Sequence, residues 1–221
     1  MTQLEIWNSG VLSGCADIEG SLAAPHSVKE FKVSPCHRGE ITSFIEQWHY
    51  SGSINGCMSD FCFKLTHNNE IIGAAFFGHM AMANQWKRFS KNETHVIELR
   101  RLCCIDNTPK NTESYFIGHM LRWLRKNTSL RVVVSYADMQ HSHTGTIYKA
   151  SNFECWGKQA GAKVIIWNGK SYHDRSIRIK YKGKLKPFAQ KLKDALEAGE
   201  ASYQMTAGKV TYVYQLVRGI A

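Results

Sequence analysis

The alternation of apolar and polar positions predicts a chain of strands separated by helices. Glu30–Val33 is a short first strand that Pro35 ends. From His37 the period changes: Ile41, Phe44, Ile45 and Trp48 fall at i, i+3, i+4 and i+7, one face of a helix. That helix delivers His49 and Tyr50 to its end, where Ser51-Gly52-Ser53 breaks it. Phe61, Phe63 and Leu65 alternate with Cys62 and Lys64. After the turn at His67-Asn68-Asn69-Glu70, Ile71–Phe77 returns as an apolar strand, so the two form an antiparallel hairpin. Met80–Glu93 is a long polar connection containing Gln85-Trp86-Lys87-Arg88, and a loop of that length is often functional.

Val96–Ile105 is the next strand, followed by Asp106–Ser114 and a helix with Phe116, Ile117, Met120, Leu121 and Leu124 inward, ending near Asn127. Val132–Val134 reads as a strand buried on both faces. A loop with Asp138, His141, Ser142, His143 and Thr144 follows it. Gly145 opens a short helix bearing Tyr148, Asn152 closes it, and Phe153–Trp156 is another strand. Asn168-Gly169, between Lys163–Trp167 and Lys170–His173, is a strong hairpin signal. Pro187–Ala198 is an amphipathic helix with Phe188, Leu192, Ala195 and Leu196 inward and Gly199 as its stop. Val210–Val217 alternates as a last strand, and residues 1–27 read as an N-terminal extension.

Charge changes the picture. With 28 Lys and Arg against 18 Asp and Glu, the chain carries a net +10, which favours a polyanionic partner such as nucleic acid. Lys170–Lys193 holds nine of those basic residues and a single acid, Asp174. Arg178, Lys180, Lys182, Lys184 and Lys186 recur at period two, which on an extended segment puts all five on one face, with Arg175 just before them. Such a row tracks phosphates without reading sequence, with Trp167, Tyr172 and Tyr181 nearby to stack on bases. The alternative is a solvated edge whose lysines discourage aggregation. Seven scattered cysteines without a C-x-x-C pair suit free thiols in a reducing cytoplasm. Met1–Gly20 lacks the basic start and apolar run of a signal peptide, and no stretch is long enough to cross a membrane. A cytoplasmic location without a membrane is expected.

Three places carry chemistry. Glu98-Leu99-Arg100-Arg101-Leu102 lies on a strand, so alternation sends Arg100 and Arg101 to opposite sides, one toward a cleft. A salt bridge to Glu98 is the structural alternative for either. Asp106–Ser114 leads into a helix whose first amides form an anion site. It also reads as plain capping, with Thr108 as cap and Pro109 at the first helical position. His49, Tyr50 and Asp138 offer the nitrogen and oxygen donors that suit iron or another first-row metal, with His141 and His143 as a weaker pair.

The order strand, polar loop, short helix with Tyr148, Asn-Phe, strand resembles the last crossover of a GNAT-fold acyltransferase. The wording S-Y-A-D followed by H-T-G-T-I-Y-K-A-S-N-F is similar to that of the Mom family of bacteriophage DNA-modification proteins. His49-Tyr50-Ser51-Gly52, the E-L-x-R-L pattern that selects Arg101, and Asn107–Ser114 in place of a glycine-rich loop share that resemblance. It implies a single α/β domain over residues 28–221 with a mixed, mainly antiparallel sheet, and a basic segment from 163 to the C-terminus. It implies an acyl-coenzyme A-type donor held by Arg101, Asn111, Thr112 and Ser114. Asp138 is then the base or a metal ligand, Tyr148 the general acid, and Arg101 and Ser114 polarise the donor, with His49 and Tyr50 lining the pocket.

The implied function is carbamoylmethylation of adenine in double-stranded DNA, which protects phage DNA from host restriction. The target amine is buried in the duplex, so its base must be flipped out. Acyl transfer leaves an amide on nitrogen, whereas a carbamoylmethyl group is joined through CH₂. Thioester aminolysis alone cannot make that link; another donor, a rearrangement or a metal-assisted step is required. Two other functions fit the same features: an acetyltransferase for a protein or small amine, and a non-catalytic DNA-binding protein with a GNAT-like fold.

Overall fold

The computed structural model describes residues 27–54, 56–82, 84–139 and 145–217. The expected N-terminal extension, except for Ser27, and His141–Thr144 lie outside the described residues. The chain forms β1 (Lys32–Cys36), α1 (Arg38–Trp48), β2 (Phe61–His67), β3 (Glu70–Gly78), β4 (Val96–Cys104), α2 (Thr112–Asn127) and β5 (Val132–Asp138). It continues with α3 (Thr146–Ala150), β6 (Glu154–Gln159), β7 (Lys163–Trp167), β8 (Lys170–His173), β9 (Lys180–Tyr181) and β10 (Lys184–Leu185). The last elements are α4 (Pro187–Glu197), β11 (Ser202–Met205) and β12 (Lys209–Gln215). Seven strands make the main sheet in the order β1-β2-β3-β4-β5-β12-β6. Among the described residues only β4 and β5 pair parallel, so the sheet is mixed and mainly antiparallel.

Helices cover both faces, which is why β3 is apolar almost throughout. Phe77 and Ala75 pack with Phe63, Leu65 and the α2 residues Phe116, Ile117, Met120, Leu121 and Leu124. Ala74 and Phe76, on the other parity, pack with Cys62 and with Ile41 and Ile45 of α1. The connection from Met80 to His95 is not bare loop. It makes short 3-10 turns at Gln85–Arg88 and Glu93–His95, and Met80 and Phe89 pack on Val132, Val134 and Val213.

Three sequence expectations shift. Pro35 sits inside β1 rather than after it, opposite Phe63, because β1 is an edge strand and an edge tolerates the missing N–H. Helix α2 starts at Thr112, not at Pro109, with Asn111 in the left-handed region (φ 72) as its cap. The row from Arg178 to Lys186 is not one extended face. Lys180–Tyr181 folds back on Lys184–Leu185 through a two-residue turn at Lys182-Gly183, and Arg178 belongs to a 3-10 turn.

Residues 160–208 form an insert between β6 and β12. Gln159 pairs directly with Lys209 across these two strands, so a tight turn would have joined them. The inserted chain instead builds a three-stranded sheet, β11-β7-β8, on α4. Ile165, Leu192, Ala195 and Ala201 are its buried core, flanked by Trp167 and Tyr172. No helix among the described residues is long and apolar enough to cross a membrane.

Candidate active site

The site is made by a parting of strands. Parallel pairing between β4 and β5 runs from Val96/Val132 to Leu99/Ser135 and ends there. Beyond it β4 stays with β3 as far as Cys104, and β5 stays with β12 as far as Asp138. A cavity of about 240 Å³ fills the gap. At about 30 Å³ per water this is space on the order of ten small heavy atoms, the size of a purine base.

His49, Tyr50, Arg100, Arg101, Tyr136 and Tyr148 contribute its polar lining. Both arginines are present, against simple alternation, because β4 carries a bulge. Phe77 lies opposite Leu99 and Phe76 opposite Arg101, leaving Arg100 as the extra residue. The bulge inverts the parity of the strand, so Leu99 and Leu102 both pack toward the α2 core although they are three residues apart. Arg100 donates from Nη2 to the His79 carbonyl at 3.0 Å and lies 3.8 Å from Glu98 Oε2, while Arg101 donates to the Arg100 carbonyl at 2.8 Å. The Nε atoms of both arginines are buried without a hydrogen-bond partner among the described residues. Two guanidinium-bearing residues in the lining make this cavity a place for an anion or a strong acceptor.

Tyr148 is carried on α3, which begins at Gly145. Gly145 has φ 72, and a Cβ there would run into the Tyr212 ring, so conformation and space both require glycine. The Tyr148 ring stacks 5.1 Å from Tyr212 and 5.6 Å from Phe153, which fixes its direction. Its hydroxyl bonds Ser135, and burial holds the phenol above its ordinary range. Tyr136, on the opposite parity of β5, accepts from Gln85 Nε2 at 2.8 Å. Burial, then the Glu98 charge, pushes it up to about 12.

Arg38, in α1, ties the segment after that helix by donating to the Ile54 and Cys57 carbonyls at 2.9 and 2.7 Å. This holds His49 and Tyr50 at the cavity, with their rings 4.2 Å apart. Burial, then the Asp138 charge, raises the Tyr50 phenol, while Arg101 lowers it; Tyr50 therefore lies within reach of both charges. Asp138 follows the lining residue Ala137 and pairs with Lys209 Nζ at 3.4 Å. The structure thus brings Tyr148, Arg101, His49 and Tyr50 into one lining, with Asp138 next along β5 from the lining residue Ala137 but not itself in that lining.

It does not bring Asn111, Thr112 and Ser114 into that lining. They sit at the start of α2, where Thr112 is buried and donates to the Pro109 carbonyl at 2.7 Å, and Ser114 donates to the Asn111 carbonyl at 3.0 Å. Arg175, Arg178, Lys180, Lys182, Lys184 and Lys186 are all exposed on the insert, with Arg178 paired to Asp174 at 2.8 Å. The sequence pattern selected Arg101 over Arg100 and gave Tyr136 and Ser135 no role. Tyr136 had a usable signal, because it precedes Asp138 by two and shares its strand face; the bulge that recruits Arg100 had none.

The donors His49, Tyr50 and Asp138 do not fit a metal as they stand. The Ser51 N–H donates to His49 Nδ1 at 3.1 Å. A backbone N–H can only donate, so a neutral His49 carries its proton on Nε2, the tautomer that ligation through Nε2 excludes. Tyr50 is biased toward the phenol rather than the phenolate, and Asp138 is shared with Lys209. Among the described residues no three His, Cys, Asp or Glu side chains gather as a ligand set.

The model of the Mom protein family matches residues 30–220, nearly all of the described chain. The chain belongs to the Mom protein family. It is similar to the methylcarbamoylase mom of Escherichia phage Mu, 25% identical over 171 residues that cover 76% of this chain and 69% of that one. Solved acetyltransferase structures share the fold of this Mom member. NAA60 of Arabidopsis thaliana in complex with acetyl-CoA gives a TM-score of 0.50 at 12% identity, covering 84% of this chain and 98% of that one. The Salmonella typhimurium protein yncA with its cofactor acetyl-CoA gives 0.50 at 9%, covering 87% and 97%. The mixed sheet with one parallel pair that parts at a cavity is therefore a GNAT-like fold.

Proposed function

We propose that this Mom member is a DNA-modifying transferase that attaches a carbamoylmethyl-type group to the exocyclic amine of adenine, and so shields phage DNA from restriction. The observation that carries this reading is a purine-sized cavity lined by Tyr148 and by Arg100 and Arg101. The phage Mu relative named a methylcarbamoylase supports the group transferred. A flipped adenine enters beside Tyr50 and His49, whose rings supply a stacking wall.

The amine nitrogen attacks a carbon of the donor. One N–C bond forms, the bond from that carbon to the leaving group breaks, and the leaving group departs with the electron pair. Asp138 takes the proton that the amine loses, and Tyr148 gives one to the leaving group. Lys209 Nζ lies 3.4 Å from Asp138 Oδ2 and holds that carboxylate in place. Arg100 and Arg101 hold the anionic or carbonyl oxygens of the donor. A CH₂ link requires either attack at a saturated carbon or rearrangement after attack at a thioester carbonyl.

The acetyl-CoA complexes among the structural neighbours support an acyl-coenzyme A-type donor. When bound, it would supply a thioester carbonyl as the activated carbon, with the coenzyme A thiolate as leaving group, and the CH₂ link would then come from rearrangement of the transferred group. The amides at the start of α2, next to Asn111, Thr112 and Ser114, are suited to its pyrophosphate.

Mass spectrometry of nucleosides from DNA of cells expressing the chain tests this reading. An adenosine carrying the added mass in wild type and not in Tyr148→Phe is the expected result. Unmodified DNA together with acetylated protein would move the site to the acetyltransferase reading.

A further inference from the structure

We infer that the insert 160–208 is a clamp for the backbone of double-stranded DNA, built around the hairpin of β9 and β10, and that it supplies affinity while the cavity supplies chemistry. This deepens the DNA-modifying reading and rests on it. Three observations converge. The insert is a folded unit with its own core rather than a loop, so it can hold a surface rigidly. It carries ten Lys and Arg against four Asp and Glu, a net +6 of the chain's +10. Two of those acids form ion pairs within it, Asp174 with Arg178 and His173 and Glu197 with Lys193, and Asp194 accepts from Gln190. Lys180, Lys182, Lys184 and Lys186 have no carboxylate partner among the described residues, and all four are exposed.

The hairpin tip is the third observation. Seven described residues other than glycine have positive φ, and six are Asn, which tolerates that region. The seventh is Lys182 (φ 49), which with Gly183 (φ 78) makes the tight turn between β9 and β10. The chain's other tight hairpin turns place Asn68-Asn69 and Asn168-Gly169 in the same conformations. A lysine kept where asparagine fits better holds a cation at the tip at a conformational cost, the pattern of a residue retained for contact. Beside it Tyr181 is 65% exposed, an aromatic face flanked by cations. Cations on a projecting ribbon with an exposed ring match a phosphate backbone with accessible bases.

The root of the insert lies next to the site. Lys209 pairs across the sheet with both Asp138 and Gln159, and the Met139 N–H donates to the Gly208 carbonyl at 3.3 Å. A duplex held by the insert is thus held at the end of β5 that carries Asp138.

The test compares full-length wild type with a Lys180→Gln/Lys182→Gln/Lys184→Gln triple variant, by fluorescence anisotropy on a labelled duplex over a salt series. These side chains touch no core, so folding should survive; a Lys→Arg triple at the same positions and a Lys29→Gln/Lys32→Gln/Lys126→Gln triple serve as controls. The expected result is affinity about tenfold weaker and a slope of log affinity against log salt flattened by about 0.9 for each phosphate no longer neutralised. The arginine triple should bind as wild type, and the distant triple should weaken binding much less. Equal weakening in the two glutamine triples would reduce the effect to net charge and overturn the clamp, as would an unchanged slope. Nucleoside mass spectrometry on the same variants keeps the two ideas apart. Weakened duplex binding with no modified nucleoside even in wild type sinks the proposed reaction and leaves the clamp standing.

Discussion

Leu99 and Ser135 are the last residues paired across the parallel ladder of β4 and β5, and Ser135 Oγ donates to the Leu99 carbonyl at 3.3 Å. That bond caps the ladder where the two strands separate, and the same Ser135 side chain hydrogen-bonds the Tyr148 phenol, lowering its pKa against the larger rise from burial. The end of one strand pairing thereby orients the side chain proposed to act as an acid.

Tyr148→Phe removes only the hydroxyl from a ring that also packs on Tyr212 and Phe153, so fold and DNA binding should persist. Modification should fall by about two to four orders of magnitude, the usual contribution of general acid catalysis. Asp138→Asn should be as damaging. Because both groups act in one step, the double variant should be little worse than the worse single one. Single-turnover modification of a defined duplex measures all three; full activity in Tyr148→Phe would leave Tyr148 a packing residue.

Gly145→Ala forces a side chain into left-handed backbone and against Tyr212 at once. The cost should be roughly 2–4 kcal/mol, read as a lower urea midpoint. An unchanged midpoint would show that α3 can move off Tyr212 freely.

Glu98 offers a pH signature. Burial raises its carboxyl from 4.5, outweighing the lowering by Arg100. A raised acid holds its proton more tightly when folded, so the folded chain binds more protons than the unfolded one over that window. Its contribution to stability is present below about pH 4.5 and is lost as pH rises through the folded value. Glu98→Gln should therefore melt higher than wild type at pH 7 and equal to it at pH 4. A variant that melts lower at pH 7 would show that the ion pair with Arg100 outweighs burial.

Thiol reactivity should follow burial. Cys36 and Cys103 are pushed up to about 12, chiefly by burial, and Cys62 and Cys104 are raised in the same way. Cys155 is exposed on β6. Brief alkylation at pH 8 followed by peptide mass spectrometry should mark Cys155 well ahead of those four. Equal labelling of Cys103 would mean that β4 opens locally on the time scale of the reaction.

Local pattern by itself determined most of the elements. The five apolar residues of α2, the turn at Asn168-Gly169 and the short α3 after Gly145 stand where period and turn chemistry put them, because each depends on neighbours within a few residues. Resemblance in short motifs also brought Asp138, Tyr148 and Arg101 forward together. Tertiary structure alone decided three things. The bulge that lines the cavity with Arg100 as well as Arg101 arises from register against Phe76 and Phe77, two strands' worth of chain that no local window contains. Pro35 stays in a strand only because β1 is an edge. The basic row bends into a hairpin because Lys182 takes a conformation its own residue type disfavours, a choice settled by the fold of the insert around it.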